Sequence, residues 1–101
     1  MRTLIEYLYN AIRAVAGQAI DITAYITDEN EELVTENCDL NICNQDGTDV
    51  LLTKEGLYDV DNSVWHFLLA PEETKGFSGR YLYYIRHDDS NLCFKQPIYF
   101  K

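Results

Sequence analysis

Little in this chain of 101 residues is suited to chemistry. Nowhere do a nucleophile, a base and an orienting group fall into a recognisable local motif, and neither a glycine-rich phosphate loop nor a quartet of metal ligands is present. Cations are scarce: eight Lys and Arg against seventeen Asp and Glu leave a formal charge of -9. Nucleic acid and anionic membrane surfaces are bound through Lys and Arg, so this balance argues against both as partners. Cys38, Cys43 and Cys93 are odd in number and lack CxxC spacing, which argues against a secreted disulfide framework. Cys38 and Cys43 stand an odd number of residues apart, so on one strand they would face opposite sides and not bridge. They read as small buried hydrophobes in a reducing compartment. Long apolar runs are missing too. Ala14-Val15-Ala16 resembles a signal cleavage site, but Glu6, Asn10 and Arg13 interrupt the segment before it, leaving too little apolar length for a signal core or a membrane span. The protein is expected to be made in the cytoplasm.

What is present suits packing. A chain of this length buries roughly two-thirds of the surface it would expose unfolded, so it needs no covalent staples. Its 47% apolar content and eight tyrosines point to an ordered globular domain rich in strands. The charge is unevenly spread. Residues 17 to 73 hold fourteen acids and Lys54 alone, giving -13; residues 74 to 101 hold five cations and two acids, giving +3; residues 1 to 16 add +1. An acidic body with a mildly basic end can pair head to tail with copies of itself or meet a basic partner, although a solvated acidic surface also serves solubility.

The spacing predicts an amphipathic helix over residues 3 to 16. Leu4, Ile5, Leu8, Ile12 and Val15 fall on one side at 3.6 residues per turn, opposite Glu6, Asn10 and Arg13. Thr3 and Glu6 have capping-box spacing, and Gly17 suits the far end. After Gly17 the period becomes two. Ile20, Ile22, Ala24 and Ile26 alternate with Asp21, Thr23, Tyr25 and Thr27. Further strands are predicted at Cys38 to Cys43, Val50 to Thr53, Leu57 to Val60, Val64 to Leu69, Arg80 to His87 and Leu92 to Phe100, with Asp46-Gly47, Asp61-Asn62 and Asp88 to Asn91 as turns. Pro71 ends one run, and Pro97 suits an edge or bulge. Seven strands at this spacing indicate a mainly β, antiparallel sandwich over residues 17 to 101, preceded by the helix over residues 1 to 16.

The candidate sites reduce to ordinary roles. Asp46 to Asp49 and Asp59 to Asn62 hint at calcium, but the EF-hand pattern fails: Ile42 stands where its first aspartate belongs and Thr53 where its glutamate belongs. His66 and His87 have no second ligand at metal spacing and no base–nucleophile partner nearby. Cys93, His87 and Asp88 could meet only across a hairpin. No catalytic residue, cofactor or metal is expected. Tyr81, two residues after Gly79, matches in part the tyrosine corner of sandwich domains, with Phe77 in place of the usual aspartate.

Three segments together carry a family likeness: Gly17 to Ile26, then Phe67-Leu68-Leu69 with Thr74, then Gly79-Arg80-Tyr81-Leu82-Tyr83-Tyr84-Ile85. The chain resembles the small immunoglobulin-like sandwich domains of tailed bacteriophage virions, such as the N-terminal domain of baseplate upper proteins and head-decoration modules. That resemblance implies a non-enzymatic structural protein of a virion, in the capsid, neck or tail, acting through other virion proteins or copies of itself. The opening helix departs from those domains, which begin with a strand. A sandwich already closes its own core, so an added apolar helix either covers a sheet or engages another chain. Leu4, Ile5, Leu8, Ile12 and Val15 are therefore the expected partner-binding residues. The alternative is a carbohydrate or host-surface binding module that stacks its ligand on Trp65, Tyr83, Tyr84 and Tyr99.

Overall fold

The structure, a computed structural model, describes residues 2–8, 13–87, 90–91 and 95–101. The strands are β1 (Arg2–Thr3), β2 (Ile5–Leu8), β3 (Arg13–Ala14), β4 (Ile20–Thr27), β5 (Cys38–Cys43), β6 (Val50–Glu55), β7 (Leu57–Asp59), β8 (Val64–Leu69), β9 (Gly79–His87), β10 (Ser90–Asn91) and β11 (Gln96–Phe100). One turn of helix, α1 (Pro71–Thr74), lies between β8 and β9. A four-stranded sheet has the order β2-β4-β8-β7, and a five-stranded sheet the order β3-β11-β9-β5-β6. β1 and β10 form a small parallel pair.

The two sheets share one core. Period-two alternation sends Ile22, Ala24 and Ile26 of β4 and Trp65, Phe67 and Leu69 of β8 inward from one sheet. Leu40 and Ile42 of β5, Tyr83 and Ile85 of β9, and Ile98 and Phe100 of β11 meet them from the other. Trp65 Nε1–H donates to the Val34 carbonyl at 2.7 Å, so the indole is buried with its polar group satisfied. Gly56 marks where the chain leaves one sheet for the other. A Cβ there would stand 2.6 Å from the Phe67 ring, 2.7 Å from Trp65 and 2.8 Å from the Cys38 carbonyl, so only glycine lets this crossing lie against the core.

The helix expected over residues 3 to 16 is not what the described residues form. Ile5–Leu8 pairs antiparallel with β4, from Ile5 opposite Thr27 to Leu8 opposite Ala24. Arg13–Ala14 pairs parallel with β11. Two causes act together. Leu4 and Leu8 are four residues apart, a spacing that fits one side of a helix and one side of a strand equally well. The flanks of β4 and β11 also offer ladder hydrogen bonds, which outweigh helix propensities worth a few tenths of a kcal/mol per residue. The segment before Gly17 therefore completes both sheets. Eleven strands, not seven, are present among the described residues, and β3 introduces a parallel pairing into an otherwise antiparallel sheet.

At the start of β9 the Ser78 amide donates to the Tyr81 hydroxyl at 3.1 Å, the local bond that a tyrosine corner requires. Tyr81 packs on Phe77 and Phe100, with ring centroids 4.9 and 5.7 Å away, so it anchors and packs at once. α1 is fixed from both ends. The Ala70 amide donates to Glu73 Oε1 at 2.7 Å, and the Gly17 amide donates to the buried Thr74 hydroxyl at 3.1 Å.

Candidate functional site

The expected partner-binding residues do not form one face. Leu4 is buried and Leu8 packs against the core, whereas Ile5 is exposed on the opposite side of β2 beside Tyr7. Val15 is exposed beyond β3, and Ile12 lies outside the described residues. Leu4, just before β2, and Glu6 and Leu8 on its inward side put a carboxyl between two leucines. Burial pushes Glu6 up to about 7, the Tyr83 hydroxyl opposing the shift, and Gln96 Nε2 donates to its Oε1 at 3.0 Å.

A polar cluster that the spacing concealed sits on the outer side of the four-stranded sheet. His66 of β8 stands in register with Thr23 of β4 and Leu57 of β7. Its Nδ1 lies 3.1 Å from both oxygens of Asp21, and its Nε2 lies 3.4 Å from Asp59 Oδ2. The hydrogen bond to Asp21 raises the imidazole above its ordinary value, partial burial opposing and Asp59 adding to the rise. Asp59 is held low, chiefly by the Asn62 side chain that closes the β7–β8 turn. A ring clamped at both nitrogens by carboxylates donates two protons and offers no free base, so it serves as a cross-strand staple. The two nitrogens point to different carboxylates, and no group of three potential metal ligands occurs among the described residues.

The remaining chemical candidates have structural roles. His87 is buried, its Nε2 3.9 Å from Glu36; Asp88 and Cys93 lie outside the described residues. Cys38 and Cys43 are buried thiols, and burial raises the Cys43 thiol against the pull of Lys95. Asn44 Oδ1 accepts the Thr48 and Asp49 amides, and Asp59 Oδ1 accepts the Asp61 and Asn62 amides, so both acidic turns spend polar atoms on their own backbone. Of the aromatics proposed as a stacking platform, Trp65 and Tyr83 are buried; Tyr84 and Tyr99 lie on the outer side of the five-stranded sheet.

A groove opens at the edge where β6 passes into β7. It has a volume of about 940 Å³ and runs between the two sheets, bounded by Ile20, Leu57, Leu68 and Ala70, with Lys54 and Glu73 paired at 3.0 Å beside it. Apolar side chains crowd this edge: Val50 and Leu51 are about half exposed, Leu57 is 58% and Val60 76% exposed. β6 and β7 are the outermost strands of their sheets, so the edge also presents strand backbone. Sequence patterning marked Val50 to Thr53 and Leu57 to Val60 as strands but gave no sign that their apolar residues face outward. No helix among the described residues is long and apolar enough to cross a membrane.

No protein-family model matches the chain, and no curated protein matches it. Among solved structures, part of the E. coli alpha-2-macroglobulin, reconstructed by cryo-EM in its native conformation, superposes with a TM-score of 0.65 at 13% identity. The match covers 98% of this chain, which spans about 6% of that much longer one. At such identity the likeness is one of fold: a mainly β chain with two sheets packed face to face.

Proposed function

We propose that this chain is a non-enzymatic, immunoglobulin-like assembly module, a structural subunit of a bacteriophage particle that works through contacts between proteins. The observation that carries the reading is the apolar, open edge of β6 and β7. An edge strand with exposed Val50, Leu51, Leu57 and Val60 is what a monomer normally blunts, and what a subunit keeps for a neighbour. The strand orders support the immunoglobulin-like part of the proposal. Taken as A-B-E-D and A′-G-F-C-C′, β2-β4-β8-β7 and β3-β11-β9-β5-β6 follow the arrangement of those sandwiches. The virion setting comes from the sequence resemblance, which covers about residues 17 to 100. Carbohydrate binding loses its main support, because Trp65 and Tyr83 are core residues.

The test is sedimentation of the fluorescently labelled chain with virions of its source. Saturable co-sedimentation that the double variant Leu51→Glu, Leu57→Glu abolishes, while its circular dichroism stays that of the parent, is the expected result. A parent chain that stays in the supernatant would overturn the proposal.

A further inference from the structure

The outer face of the five-stranded sheet gathers cations over β9, β11 and β3. On the five-stranded sheet, alternation along β9 puts Arg80, Leu82, Tyr84 and Arg86 on the side away from buried Tyr83 and Ile85. Tyr99 of β11 stands in register with Arg80, and Arg13 of β3 in register with Tyr99. The Arg13 guanidinium lies 5.7 Å from the Tyr99 ring centre, and Lys95 Nζ lies 5.7 Å from that of Tyr84. Lys95 also donates to the Gly47 carbonyl at 2.8 Å. Half of the chain's eight Lys and Arg thus share one sheet face. Among the described residues none of the four has a carboxylate within 4.0 Å; Asp39, in register with Arg86, and Glu55 stand toward the β6 side. Tyrosine rings hold such cations by cation–π attraction and lose little entropy when covered.

The chain carries the complement of this face at its other end. Cys38 pairs with His87, so the loop from β4 to β5 lies at the end of β9 away from Arg80. That loop presents Glu31 and Glu32 beside the exposed Leu33. Asp28 Oδ1 accepts the Asn30 and Glu32 amides at 2.9 and 3.1 Å, which holds the loop in one shape before any contact and lowers the ordering cost of docking.

We propose that the basic, tyrosine-bearing outer face of the five-stranded sheet docks the acidic β4–β5 loop of a second copy of this chain. The proposal rests on the assembly reading but uses a surface distinct from the β6–β7 edge. Because each copy offers one face and one loop, the contact is heterologous and propagates from copy to copy. Nucleic acid would also suit arginines beside tyrosines, but the phosphate backbone would approach a chain of charge -9 with no acidic-to-basic pairing to compensate.

Complementation between two charge-reversed variants tests this. Parent protein in a concentration series by light scattering should self-associate, weakening roughly tenfold or more when salt screens the contact. Arg80→Glu with Arg86→Glu, and separately Glu31→Lys with Glu32→Lys, should each be a folded monomer. Mixed together they should associate again, into dimers and longer species, since the acidic loop of one meets the basic face of the other and the reversed loop meets the reversed face. A parent chain that is monomeric throughout, variants that still associate, or a mixture without dimer would overturn the proposal. So would tight binding of a single-stranded oligonucleotide without self-association. Association that survives both charge variants and is lost only in Leu51→Glu, Leu57→Glu would leave the edge reading standing and remove this one.

Discussion

Replacing Glu6 by Gln should stabilise the protein at pH 8 and do nothing at pH 4. The carboxyl faces inward between Leu4 and Leu8, and burial raises it from 4.5 to about 7. A raised carboxyl binds its proton more tightly when folded. Its contribution to stability is therefore fully present below about 4.5 and is lost as pH rises to about 7, after which the folded state holds a charge it would otherwise exclude. A shift of that size corresponds to roughly 3 kcal/mol, each pKa unit being about 1.4 kcal/mol. Glutamine keeps an acceptor for Gln96 Nε2 and removes the charge, so the variant should recover most of that penalty above pH 7. For a domain of this size that is upward of about 10 °C in melting temperature. Urea denaturation of parent and variant from pH 4 to pH 8 isolates Glu6, because every other titrating group is common to both. The difference should be near zero at pH 4 and grow through pH 7. A difference that is flat with pH, or a variant less stable at pH 8, would refute the reasoning and mean that the Glu6 carboxylate is solvated.

Three further outcomes follow from particular contacts. Asp21→Asn should lower the His66 pKa in an NMR titration, because the Asp21 hydrogen bond is the largest cause of its rise; the staple's contribution to stability is full below about 6.5 and lost as pH climbs through the raised value, so parent and variant should converge at high pH. Gly56→Ala should destabilise by about 1–3 kcal/mol or more in urea, since its Cβ would overlap Phe67, Trp65 and the Cys38 carbonyl. Trp65→Phe should cost about 1–3 kcal/mol by thermal circular dichroism, because the Val34 carbonyl would be left buried without its 2.7 Å donor.

From Ile20 onward the alternation of Ile22, Ala24 and Ile26 against Asp21, Thr23 and Tyr25 reports which side faces the core, since one-sided burial imposes a period of two. Tyr81 was readable because its partner, Ser78, is three residues away. The first strand was not readable. Leu4 and Leu8 fit either period, and Glu6 between them points inward, reversing the usual rule that polar residues alternate outward. The His66 staple was hidden for another reason: Asp21 is forty-five residues away and reaches His66 only through the β4–β8 register. The excess of cations after residue 74 is visible in composition. Their concentration on one face, joined by Arg13 from the other end of the chain, depends on β3 pairing with β11.

The measurement that tests most directly whether this protein acts through its outer surfaces is hydrogen exchange, read by mass spectrometry, on the free chain and on the chain in its assembled particle. Added protection over residues 50 to 60, together with the β4–β5 loop and the amides of β9 and β11, is the result predicted here. Unchanged exchange over residues 50 to 60, with protection confined to the outer side of β4 and β8 around Asp21 and His66, would contradict the account and relocate the working surface to the polar cluster.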